Sequence, residues 1–210
     1  QTLELHKELG FDPLKMLVIE NGYAPQLPVA ETAATNLAPL DQLPERSFLI
    51  GNVSRFHEKK GHYVLLEAFA KAQISNNESF LILAGEGLTD SNHLLTNRIK
   101  KLGIARRVLL LGPIEEPHEL YARLSVHVSS SVFGEGFPNA VAESMAAGVP
   151  NLVTSVGESA ALVGSTGWIC EPGDTLALSA AIESASRLAD EDLRETGLEA
   201  SRRVLSQYSL

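Results

Sequence analysis

The sequence predicts an α/β fold: a parallel sheet with helices on both faces. Three observations carry this. Short aliphatic runs alternate with amphipathic helical runs from residue 47 to residue 188, the pattern of strands joined by helical crossovers. The glycine-rich segments fall in the loops after the strands, at 54–61, 85–90, 112–116, 130–137 and 155–158. The chain has 210 residues, 44% hydrophobic and 20% charged, enough for one such domain with a sizeable core.

Taken in order, residues 1–10 read as an amphipathic helical stretch without the apolar core of a signal peptide. Residues 16–19 read as a strand, and Asn21-Gly22 as a turn. Residues 24–45 are rich in Ala and Pro without periodicity and read as a connecting segment. A strand follows at 47–53, then the loop SRFHEKKG and a helix over 62–73 with Leu65, Leu66, Phe69 and Ala70 on one face. Residues 80–84 form a strand. Ser91 is placed to cap a helix whose apolar face is Leu95, Ile99 and Leu102. A strand at 108–111, a short helix at 117–124 and a strand at 125–129 come next. The segment GEGFPNAVAESMAAG then reads as loop and helix. Pro138 opens the helix, and Gly148 and Pro150 end it. Strands at 151–154 and 167–170 and helices at about 174–187 and 190–206 complete the chain. The resulting division is 1–46, hinge and connecting segment; 47–188, the main domain; and 189–210, a C-terminal helix that reads as truncated.

Composition removes several function classes. A net charge of −9 gives no general attraction to nucleic acid. The single cysteine, Cys170, leaves no intramolecular disulfide and fits the cytoplasm. No apolar run approaches the ~20 residues of a membrane span. The histidines lack paired metal spacing, so no metal site is assigned. Gly85-Glu86-Gly87 lacks the third glycine of a dinucleotide fingerprint. Asp190-Glu191-Asp192 mimics an acidic metal motif but starts a helix, so it reads as a cap. No Gly-x-Ser-x-Gly motif is present.

The chemistry candidates lie where a parallel sheet binds ligands, beyond the carboxyl ends of its strands. The helix opening at Pro138-Asn139 presents free N–H groups and a partial positive charge, an anion site. Glu135 and Glu143 would repel an anion and suit hydroxyls, which donate hydrogen bonds. A ligand with phosphate in the middle and hydroxyls at both ends, such as a nucleotide-sugar, satisfies both. Arg55 and Lys60 offer a planar fork and a point charge for a diphosphate. A solvated basic loop and an ordinary surface helix remain the alternatives at this point.

Three stretches taken together resemble a known family: IGNVSRFHEKKGHYVLLEAFA, LAGEG, and LLLGPIEEPHELYARLSVHVSSSVFGEGFPNAVAESMAAGVPNLVTSVGESAALV. They are similar to the donor-binding half of GT-B glycosyltransferases, a Rossmann-like domain, in the retaining class called group 1 or family four. The resemblance implies that Arg55 and Lys60 hold the donor pyrophosphate. It implies that Glu135 and Glu143 are a Glu-x7-Glu pair, the first on the donor sugar and the second on the ribose. Gly136, Phe137, Pro138 and Asn139 then face sugar and phosphate, and Gly112 to Ile114 lie near the base. Arg55, Lys60 and Glu135 would carry catalysis. The implied reaction moves a sugar from a UDP-sugar or GDP-sugar donor to a hydroxyl acceptor with retention, without cofactor or metal, in polysaccharide or glycolipid synthesis. The acceptor would bind an N-terminal domain outside this sequence. The longer protein would work in the cytoplasm, at a membrane face included. Ala24 departs from the resemblance, standing where an Asp is common after Asn-Gly. A nucleotide-sugar epimerase and a non-catalytic nucleotide-binding module are the competing readings.

Overall fold

The computed structural model describes residues 8–10, 12, 37–72 and 78–208. The strand and turn expected at 16–22, and Ala24, lie outside the described residues. Six strands form one sheet: β1 (Phe48–Val53), β2 (Ser79–Ala84), β3 (Val108–Gly112), β4 (Val126–Ser129), β5 (Asn151–Thr154) and β6 (Gly167–Cys170). Their order is β3-β2-β1-β4-β5-β6, and every pairing is parallel. The order reverses direction between β1 and β4, which opens a crevice at their carboxyl ends.

Alternation along the strands sends neighbouring side chains to opposite faces. Ile50, Leu81, Leu83, Val126, Val128 and Leu152 pack beneath α1 (His62–Lys71), α2 (His93–Lys101) and α6 (Thr175–Ser186). Leu49, Ile82 and Ala84 face the other way, toward Leu120 and Tyr121 of α3 (Pro117–Tyr121). Leu37 and Leu40, from a 3₁₀ turn at Ala38–Gln42, are buried in that same cluster. Val153 meets α4 (Asn139–Ala146), α5 (Ser159–Val163) and α7 (Asp190–Gln207) through Val141, Met145, Leu162, Ala200 and Val204. Both faces are therefore covered, as the sequence predicts.

Three local features differ from the sequence reading. Asn92, not Ser91, caps α2: its side chain accepts from the Leu95 N–H, while the Ser91 hydroxyl pairs with Thr89. Ala189 occupies the cap position of α7, so Asp190, Glu191 and Asp192 sit in the first turn. There they complement the helix dipole rather than cap it. The short helix α5 has no sequence expectation, because five residues are too few to show a helical period.

Candidate functional site

Two loops far apart in sequence are stapled together over the crevice. The loop after β1 ends in a 3₁₀ turn, Glu58–Lys60, whose start His57 caps by accepting from the Lys59 N–H. The Val132 N–H donates to the Lys59 carbonyl at 2.8 Å, and the Ser130 hydroxyl to the Lys60 carbonyl at 2.9 Å. Gly61 makes this approach possible. Its φ is +65°, and a Cβ there would lie 2.0 Å from the Ser130 carbonyl oxygen, so no side chain fits. A third loop joins at Gly157, where φ is +60° and a Cβ would meet the Glu135 and Gly136 carbonyls at 2.5 and 2.7 Å. The Thr154 hydroxyl donates to the Ser131 carbonyl, and the Glu158 N–H to the Gly136 carbonyl.

This packing brings Lys60 and Glu135 into direct contact. Lys60 Nζ donates to Glu135 Oε1 at 2.6 Å, and the Ser131 hydroxyl donates to the same oxygen at 2.8 Å. The lysine side chain is 23% exposed and the glutamate 8%. Both line a cavity of about 230 Å³, together with Asn52, Ser54, His127, Ser131, Phe137, Pro138, Asn139 and Ala140. Pro138 occupies the cap position of α4 and has no capping side chain. Its carbonyl accepts from Val141 and Ala142, leaving the Asn139 and Ala140 N–H groups as the unpaired helix donors at the cavity.

The other sequence-predicted residues are not among the cavity's lining. Arg55 is exposed at the start of the β1 loop. Glu143 lies one helical turn beyond Asn139 and accepts from the buried Tyr121 hydroxyl at 3.1 Å. The Gly112 carbonyl accepts from the Gly85 N–H at 2.7 Å, tying the β2 and β3 loops together. Ile114 packs partly buried against the cluster that holds Tyr121. Gly136 has open space where a side chain would stand.

Sequence reasoning missed a polar lining. The Asn52 amide donates to the Val128 carbonyl at 2.8 Å and accepts from the Ser54 hydroxyl, which lies 3.1 Å from His62 Nε2. Burial, then the Lys60 charge, push the His62 pKa down to about 4, against an opposing backbone contact at His57. Burial likewise lowers His127 to about 4, opposed by its hydrogen bond to Asn151. Both rings are thus neutral at physiological pH. The available signal was a polar residue, Asn52 or His127, inside an otherwise aliphatic strand. Among the described residues, no cluster of three or more His, Cys, Asp or Glu could hold a metal ion. None of their helices is long and apolar enough to cross a membrane.

A parallel sheet with a cationic side chain and an uncapped helix start at its switch point defines a class of α/β proteins whose crevice suits an anion. Comparison with known proteins narrows the class. The family described as glycosyl transferases group 1 matches residues 47–187, and the chain belongs to that family. It is 32% identical over 169 residues to N-acetyl-alpha-D-glucosaminyl L-malate synthase of Bacillus anthracis, covering 79% of this chain and 43% of that protein. It is 31% identical over 166 residues to the capsular polysaccharide biosynthesis glycosyltransferase CapM of Staphylococcus aureus, covering 78% and 43% respectively. The crystal structure of Anabaena HepE in complex with UDP and glucose superposes with a TM-score of 0.83 at 23% identity, over 99% of this chain and 57% of that one. The fold is therefore that of GT-B glycosyltransferases, and the chain spans less than half the length of the two curated relatives.

Proposed function

We propose that this chain supplies the donor half of a glycosyltransferase that moves a sugar from a nucleoside-diphosphate sugar to a hydroxyl acceptor with retention. The observation that carries the reading is the convergence of Lys60, Glu135 and the uncapped start of α4 on one cavity. A diphosphate entering there meets a lysine and two helix N–H groups, all of which favour negative charge. As the glycosidic bond to the leaving diphosphate breaks, charge grows on the phosphate oxygens. Lys60, the helix start and Arg55, swung in from the loop, stabilise it without a metal. Losing one such donor in a closed site costs on the order of a hundredfold or more in rate.

The Glu135 carboxylate would accept from hydroxyls of the transferred sugar, and Glu143 from the ribose. Phe137 and Pro138 would close the cavity beside them, with Gly112 to Ile114 toward the base. In this reading residues 47–188 form the nucleotide-sugar domain, and α7 packs on its helix α4. The acceptor binds elsewhere in a longer protein, which acts in polysaccharide or glycolipid synthesis. Substrate names carried by the relatives motivate a UDP-sugar as the first donor to try.

Calorimetry with UDP, GDP, UDP-glucose and UDP-N-acetylglucosamine against the purified chain tests the reading. Saturable binding of a nucleoside diphosphate, abolished by Lys60→Met, is expected. Absence of binding to all four would overturn it. Retention is read separately, from the anomeric configuration of the product made by the longer protein.

A further inference from the structure

His127 is a polar residue in the middle of an aliphatic strand, and it is 1% exposed. Its Nδ1 lies 2.7 Å from Asn151 Oδ1 on the neighbouring strand. The direction of that bond follows from the surroundings. Asn151 Nδ2 donates to the Val149 carbonyl at 2.9 Å, which fixes the amide with its oxygen toward the histidine. An amide oxygen only accepts, so Nδ1 carries the ring proton. The Ser144 hydroxyl lies 2.9 Å from the same oxygen and 3.0 Å from the Val141 carbonyl, so its one proton serves one acceptor at a time. The neutral ring is left with an unprotonated Nε2, and this atom is buried without a hydrogen-bond partner. Tyr121 stands edge to face with the ring, centroids 5.7 Å apart at 90°, and holds it in place.

His127 also lines the cavity that holds Lys60, Glu135 and the start of α4. A buried acceptor with nothing to accept from is costly. The other lining groups named above as binding anions are donors: a lysine and helix N–H groups. Nε2 is a neutral acceptor on a residue of the same lining.

We propose that His127 Nε2 accepts a hydrogen bond from a hydroxyl of the bound nucleotide-sugar, making His127 a ligand-reading residue of the cavity. The proposal rests on the nucleotide-sugar reading above. It adds a neutral contact that favours a hydroxyl donor and disfavours an acceptor or an anion at that point. Asn151 and Ser144 act through His127: they fix the tautomer that leaves Nε2 free to accept. Tyr121 links this element to Glu143, since the same side chain touches both.

The test is imidazole ¹⁵N NMR of the wild-type chain, titrated with UDP and, separately, with UDP-glucose, while backbone amide shifts report binding independently. In the free chain, His127 is expected as the Nδ1–H tautomer with an unprotonated Nε2. At saturation the Nε2 resonance should move upfield, as for an acceptor that gains a hydrogen bond, while Nδ1 stays in place. Movement with UDP assigns the hydroxyl to the ribose; movement only with UDP-glucose assigns it to the transferred sugar. His127→Leu should weaken the same ligand by roughly three- to tenfold, the worth of one such bond. Binding with an unmoved Nε2 in both titrations would overturn this proposal alone. Binding of neither probe would overturn it together with the nucleotide-sugar reading.

Discussion

Replacing Glu135 by Gln separates the two roles that its contact with Lys60 combines. Gln keeps an oxygen able to accept from the Ser131 hydroxyl and from Lys60, the two donors at 2.8 and 2.6 Å. It removes only the charge. A diphosphate that binds Lys60 from the cavity side sits about 6 Å from the Glu135 carboxylate, two charge-assisted hydrogen-bond lengths away. Two like charges at that separation repel by ~3 kcal/mol at an effective dielectric of 20, and the open mouth and salt cut this to about 1 kcal/mol. Glu135→Gln should therefore bind UDP roughly fivefold more tightly. Its thermal stability should fall by about 1 kcal/mol or less, because Gln keeps both hydrogen bonds and loses only the attraction between the charges. The same variant should lose affinity for UDP-glucose relative to UDP, since a charged acceptor for the sugar is gone. Paired calorimetric titrations of wild type and variant read all of this. Weaker UDP binding in Glu135→Gln, comparable to that in Lys60→Met, would refute the reasoning, because it would make the glutamate part of the phosphate site.

Glu143→Ala should weaken UDP by roughly tenfold or more through lost charged hydrogen bonds to the ribose. Tyr121→Phe, which removes the hydroxyl that donates to Glu143 at 3.1 Å, should weaken it by less than Glu143→Ala; the same titrations compare them. UDP affinity should be unchanged by excess EDTA, because Lys60 and the helix start supply the positive charge; a tenfold loss on chelation contradicts this. Folding should weaken as pH falls. The folded pKa values of His62 and His127, about 4, lie below the ordinary 6.5, so between these values the unfolded chain binds more protons. The stability is complete above about pH 6.5 and is lost as pH falls toward 4, by about 2 kcal/mol per histidine at pH 5. Urea unfolding at about pH 7.5 and pH 5 measures it, and His127→Leu should roughly halve the difference, leaving the His62 share.

The sheet was legible because each strand is a short aliphatic run followed by a glycine loop, and because α1 and α2 show a clear apolar face. α5 was not, being one turn long. The caps slipped by one residue because Ser91 and Asn92 are both competent caps, and only the Asn92 oxygen reaches the Leu95 N–H. The site was legible as separate motifs. Lys60 and Glu135 each read as charged loop residues, but no periodicity shows that Gly61 lets their loops touch. That pairing is a long-range consequence of β1 lying beside β4. The polar lining was the least visible part. Asn52, His127 and Asn151 each sit in a strand where an aliphatic residue would serve the core. Their role emerges only when neighbouring strands place their side chains within hydrogen-bond reach.

The central claim is that the carboxyl edge at the junction of β1 and β4 is a nucleoside-diphosphate site. Backbone amide mapping of the ¹⁵N-labelled chain during UDP titration tests it most directly. Saturable shifts are expected to concentrate in residues 54–61, 112–114 and 130–143, with the Asn139 and Ala140 amides moving as helix donors to phosphate. Shifts confined to the opposite edge of the sheet, around 103–107 or 147–150, or none at saturating UDP, would contradict it.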